Sequence, residues 1–398
     1  MGTVATAPEA VPAPGPAPAH RDRNWGLFLA ALTVALAIPY ALMGPGFFRE
    51  DWVHIARLDH CGIRCVTNEF PARPVMIVLY DALFSLFGRH PVGCVAVLTA
   101  LLAASAVALF RLGAVFVDRG TALLIAVTWV VLPTHGALSH WAAAVHIDLA
   151  LLLLLIGVRR VATARRRPTA GLALLIAAGL CYEAMFPVAI VAVLLCRGRG
   201  ASRRFTMVAV ASIAVPAAWG VFAQHHRVMA LARFPNLVTS NFGFGGPLLL
   251  AAVVIGAVIA ARRTADPMPR RLVLTGLALL IIGYLPFITA GYDVQFIGLG
   301  DRGNVVSAIG GAMLWVAAAH GLTKNRRLAA IAVTALCLVA LPLRIEEDHN
   351  YARTAADVQR TVHCLERTIN CPRPDTYVGG VNLDQEVRLA SRVTRVNS

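Results

Sequence analysis

"WAAAVHIDLALLLLLIGVRRVATARRR", Trp141 to Arg167, decides the class of fold. From Trp141 to Val158 the run is apolar except for His146 and Asp148, and it ends in a stretch, 159 to 167, that holds five arginines. A helix needs about 20 residues, rising 1.5 Å each, to cross the hydrocarbon of a bilayer. Arginine is kept out of that hydrocarbon and gathers in cytoplasmic loops, so the stretch reads as a span followed by an inner loop.

The same unit recurs along the chain. Hydrophobic residues make up 58% of it and charged residues only 14%, with a mean hydropathy of +0.68, which excludes a soluble globular domain and indicates an all-α polytopic membrane protein. Helices are required because a lone strand would leave its backbone unbonded in lipid. The formal charge of +15 does not point to nucleic acid, since the basic residues cluster between apolar runs and are not interleaved with aromatics. Membrane lipids are the expected surroundings.

Arg21 and Arg23, Arg111 and Arg119, 159–167, 197–204, 262–271 and 323–327 are the basic clusters, and the intervening loops 132–140, 181–183, 224–246 and 290–304 hold only Arg227, Arg233 and Arg302. The alternation predicts spans at 25–43, 92–112, 120–133, 141–158, 169–180, 184–196, 205–223, 247–261, 272–290, 303–320 and 327–343. Eleven crossings put the N-terminus in the cytoplasm and the C-terminus outside, at the plasma membrane. "PVMIVLYDALFSLFG", 74 to 88, is then an interfacial helix, because a crossing there would invert every later loop against the charge pattern. Three parts follow: a Pro/Ala-rich disordered tail (1–22), a transmembrane domain (23–344) with a first outer loop at 44–91, and a small outer tail (345–398).

Eight cysteines divide between spans and outer segments. Cys61, Cys65, Cys364 and Cys371 lie outside, where disulfides form; Cys61–Cys65 and Cys364–Cys371 are the simplest pairs, although three connectivities are open. His54, His60, Cys61 and Cys65 also have zinc-ligand chemistry, but their spacing matches no standard finger.

Within the first outer loop, "GPGFFREDWVHIARL" (44–58) places Glu50 and Asp51 a few residues beyond a span, at headgroup depth, where half-desolvation raises a carboxylate's proton affinity. Transfer of a sugar from a lipid phosphate needs a carboxylate to take the acceptor's proton and a cation to hold the departing phosphate. The structural alternative is an amphipathic interfacial helix anchored by Trp52, Val53 and Ile55. Glu183, between two short spans, is a functional carboxylate or a partner for Arg73; Arg302 holds a phosphate or snorkels to the headgroups. His135, His140, His146 and Asp148 surround Trp141, where a His-x-Asp step can orient an imidazole or bind a metal. The segment 224–246 is long enough to form a lid, and its "NFGFGG" lacks the context of a phosphate loop.

"FFREDWVHI", "RPVMIVLYDALFSLFGRHPVGCVAV", "VVLPTHGALSHWAAAVHIDLALLL", "GLCYEAMFPVAIVAVLL" and "GDRGNVVSAIGGAMLW" occur in an order that resembles GT-C glycosyltransferases, the polyprenyl-phosphate-sugar-dependent membrane enzymes that include the protein O-mannosyltransferases. The resemblance covers about residues 25 to 325. It implies inverting transfer from a polyprenyl-phosphate sugar to an acceptor (a glycan, lipid or protein) on the outer face. Asp51 is expected as general base and Glu50 as a second carboxylate. The implied substrate-binding set is His54, Arg73, His140, Trp141, Asp148, Glu183 and Arg302. The acidic pair would hold a divalent cation (Mg or Mn) if one is used. Glu at the first acidic position, and the lack of an acidic residue between Pro133 and Trp141, depart from the family pattern. Two other readings stay open, a polytopic transporter or lipid flippase and a catalytically inactive scaffold of the same fold.

Overall fold

The computed structural model describes residues 19–70, 73–164, 168–196, 203–223, 253–259, 262, 267–290, 299–323 and 325–367, and among them there is no strand. The helices are α1 (Ala19–Leu42), α2 (Arg49–Cys61), α3 (Ile63–Glu69), α4 (Pro74–Phe87), α5 (Pro91–Phe116), α6 (Arg119–Val131), α7 (Ala137–His140), α8 (Val145–Thr163), α9 (Thr169–Cys181), α10 (Phe186–Cys196) and α11 (Arg203–Ala223). After them come α12 (Pro267–Ala290), α13 (Val305–Thr323) and α14 (Arg326–Arg367). Short 3₁₀ turns, Ala142–Ala144, Glu183–Met185 and Leu299–Asn304, lead into α8, α10 and α13.

Among the described residues, six helical segments are long and apolar enough to cross a membrane: Asp22–Leu42, Pro91–Phe116, Ala142–Thr163, Pro267–Phe287, Arg302–Gly321 and Arg326–His363. Each expected span has helix over its described part, but α6 and α9, at 13 residues, extend only about 20 Å. Those two, and α10 with 11 residues, do not reach across a hydrocarbon core of about 30 Å unaided. Helix α4 is similarly short, with 14 residues, and packs Met76, Ile77, Tyr80, Leu83 and Phe84 inward while Val78 and Leu86 stay exposed.

Burial ranks the long helices. The most apolar part of α13 is 89% buried and that of α1 or α14 only 22%, so α13 is central and α1 and α14 are peripheral. Small residues allow the central contacts: a Cβ at Gly276 of α12 would come 2.9 Å from the Gly310 carbonyl oxygen of α13. Backbones approach this closely where lipid supplies no hydrophobic force to press helices together.

The segment expected as the first outer loop carries three helices, α2 to α4, with Gly62 (φ 61°) between α2 and α3. The boundary expected at 344 falls inside α14, which passes through it unbroken to Arg367. Residues 345–367 are therefore a helical extension of the last long helix. The expected lid at 224–246, the tail to residue 18, Cys371, and the side chains of His60, Cys61, Cys65 and Cys364 lie outside the described residues.

Candidate functional site

Helix α1 hands over to α2 through Gly44, whose φ of 88° favours glycine, and Gly46, where a Cβ would stand 2.8 Å from the Ala355 Cβ of α14. Phe47 and Phe48 are buried, fixing the start of α2 against the bundle. Asp51 is the third residue of that helix and is wholly buried. Its Oδ2 accepts the Phe48 N–H at 2.8 Å, as a carboxylate at this position does for an exposed helix start. Its Oδ1 accepts the Ala143 N–H at 2.6 Å. Asp51 therefore ties α2 to the 3₁₀ turn before α8.

The carboxylate expected half-desolvated at headgroup depth is thus fully buried. Burial pushes its pKa up to about 8, against the downward pull of the two backbone N–H groups, and Glu50 adds to the rise. The Ala143 carbonyl oxygen accepts in turn from the Tyr80 hydroxyl and from His146 Nδ1–H at 2.8 Å, so the backbone of this one residue is held at both its N–H and its C=O. His54 lies with its ring centroid 4.7 Å from that of Tyr80; burial and then the nearby Arg57 lower its pKa to about 4, leaving it neutral at pH 7.

Over this dry floor stand two arginine–glutamate pairs. Arg302, entering α13, has Nη1 3.5 Å from Glu50 Oε2 and its guanidinium 4.7 Å from the centre of the Trp141 ring. Arg73, at the start of α4, donates Nε–H to Glu183 Oε2 at 2.6 Å and Nη2–H to Oε1, a two-pronged pair. Its guanidinium faces Tyr182 at 5.2 Å and Phe70 at 5.8 Å. The Glu183 alternative read from sequence, an Arg73 partner, is what stands here. Glu50 has 46% of its side chain exposed, Arg302 20% and Arg73 17%, so these charges border the surface while Asp51 does not. Glu50, Asp51, Arg73 and Arg302 all act electrostatically on the Tyr80 hydroxyl, which marks the common centre.

No protein-family model, curated protein or solved structure matches this chain.

His140 and Asp148 do not join that group. His140 Nδ1 meets the Gly136 carbonyl oxygen at 2.5 Å, and a carbonyl can only accept, so Nδ1 carries a proton. Nε2 meets Asp348 Oδ1 of α14 at 2.7 Å, and the Tyr351 ring stacks on the imidazole at 4.4 Å. Arg344 donates to Ser139 Oγ at 2.5 Å and lies 3.5 Å from Glu347 and 3.6 Å from Asp348. Every member of this knot is buried. Asp148 is buried in the first turn of α8 with neither carboxylate oxygen hydrogen-bonded among the described residues. His135 stacks on Trp129 at 4.8 Å, and burial, with Arg344 and His140 nearby, lowers its pKa to about 3.

The acidic pair does not form a cation site. Both Asp51 oxygens hold N–H groups, Glu50 faces an arginine, and among the described residues no three His, Cys, Asp or Glu side chains converge. His54, offered as a zinc ligand, packs between the rings of Phe70 and Tyr80. Sequence reasoning missed Tyr80, Arg344, Glu347, Asp348 and Tyr351. For the last four a signal existed: 344, 347, 348, 351 and 355 follow helical spacing.

Proposed function

We propose that this chain is a GT-C-like glycosyltransferase of eleven spans, with its N-terminus cytoplasmic and its site on the outer face of the plasma membrane. It moves a sugar from a polyprenyl phosphate to an acceptor hydroxyl. The observation that carries this reading is the half-exposed Glu50 facing Arg302, which is braced on Trp141 beside the Arg73–Glu183 pair. A base and two cations at one rim are what the transfer requires.

Donor binding brings a phosphate to Arg302, which exchanges Glu50 for it. Glu50, released, takes the proton from the acceptor hydroxyl as that oxygen attacks the anomeric carbon from the face opposite the phosphate. The C–O bond to phosphate breaks, and the polyprenyl phosphate leaves with its charge on Arg302. Glu50, rather than the buried Asp51, is the base in this account, and Asp51 holds the backbone that aims it. No step passes through a metal ion.

Binding of radiolabelled polyprenyl-phosphate sugar to the purified chain tests the cationic role. Arg302→Ala should weaken it by roughly 10- to 100-fold, since a charged hydrogen bond contributes about 1.5–3 kcal/mol. Undiminished binding would remove Arg302 from the phosphate site.

A further inference from the structure

At the end of the bundle away from Glu50, α5 finishes, and α6, α12 and α14 begin around one open cleft of about 360 Å³. Arg271 and Arg326 line it together with Asp118, Phe116 and Met268. Both arginines are exposed, and Phe116 shows 44% of its surface.

The charges around it are unequal. Asp22 is engaged by Arg119 at 2.6 Å, and Asp118 caps α6 through Thr121 while standing 4.0 Å from Arg326 Nη1. Arg270, Arg271 and Arg327 add positive charge, and the first turn of α12 carries no acidic residue. Two guanidinium groups thus face a cleft whose remaining lining, Val115, Phe116, Val117, Pro267 and Met268, is apolar. Free phosphate would have no use for that apolar wall, whereas a lipid with a charged head and a hydrocarbon chain matches both halves.

We propose that this cleft binds the headgroup of an anionic phospholipid from the leaflet on its own side, with phosphate between Arg271 and Arg326 and the upper acyl chain against Phe116 and Met268. The site is separate from the Glu50 rim and independent of what that rim does.

The test uses the full chain, stripped of lipid in detergent and returned to bilayers of phosphatidylcholine alone or doped with phosphatidylglycerol of the same chains, with retained lipid counted by native mass spectrometry. Phosphatidylglycerol should be retained roughly tenfold or more over phosphatidylcholine, as two basic residues on one headgroup would give. Arg271→Ala with Arg326→Ala should abolish the preference, Arg271→Lys with Arg326→Lys should keep part of it, and Arg89→Ala, at the other end, should leave it intact. Independently of any variant, a photoreactive phosphatidylglycerol should cross-link the wild type at 115–118 and 267–271. Equal retention of the two lipids, survival of the preference in the double alanine variant, its loss in Arg89→Ala, cross-links confined to other segments, or displacement of the lipid by millimolar inorganic phosphate would each overturn the assignment.

Discussion

Glu50 and Asp51 are neighbours in the chain with opposite fates, because successive residues of a helix point about 100° apart. Asp51 shares a buried stripe with His54 and Ile55, three and four residues on, and Glu50 faces the rim. That spacing was visible in the sequence. Which acid a carboxylate stripe would bury was not, since it depends on the distant Ala143 N–H that receives it. Asp51→Asn removes one acceptor oxygen and turns an amide N–H₂ toward a backbone donor, which should destabilise the fold by about 1–3 kcal/mol. The pH dependence gives a sharper check. Asp51 titrates near 3.8 when unfolded and near 8 when buried, so the folded chain holds an extra proton between those values. Its contribution is complete below the lower value and is lost as pH rises through the upper one. His54, lowered from 6.5 to about 4, acts in the opposite direction but only below 6.5. Apparent melting temperature should therefore fall from pH 6.5 to pH 8 in the wild type, and Asp51→Asn should flatten that decline. An unchanged slope would show that Asp51 does not carry it.

Helix α14 shows why an element can be legible in its path and illegible in its role. After an apolar run, "RIEEDHNYARTA" (344–355) reads as a chain leaving the membrane, and its mean polarity supports a solvated tail. Arg344, Glu347, Asp348, Tyr351 and Ala355 instead form the buried face, while Ile345 is 43% exposed. The polarity of this helix is inverted because its partners are polar too: Ser139 and His140 of α7. Only the tertiary contact supplies that information. Removing one partner from a buried ionic group typically costs about 3–5 kcal/mol, since the others keep their charge without compensation. Asp348→Ala should cost that much, measured by denaturant or thermal unfolding in detergent. Removing both partners at once, with His140→Leu added, should recover part of the loss. Full additivity of the two changes would argue against the His140–Asp348 contact.

For the whole molecule, hydropathy and arginine clusters located the described helices well, because lipid imposes both patterns directly on the sequence. Span number was less legible. Helices of 13 residues can cross only with support from neighbours, and such support is a property of packing. The rim draws Glu50 from α2, Arg73 from the approach to α4, Trp141 from before α8, Glu183 from before α10 and Arg302 from before α13, so no one motif could announce it. Bringing them together at the end opposite the arginine clusters gives the account its central claim, that Glu50 is the base of a sugar transfer. The direct measurement is transfer of label from radiolabelled polyprenyl-phosphate sugar in membranes carrying Glu50→Gln at matched expression. Transfer should fall by about 10²- to 10⁴-fold, the range for loss of a general base, with donor binding retained. Wild-type transfer by Glu50→Gln would contradict the account and leave the rim as a structural pair of ion pairs.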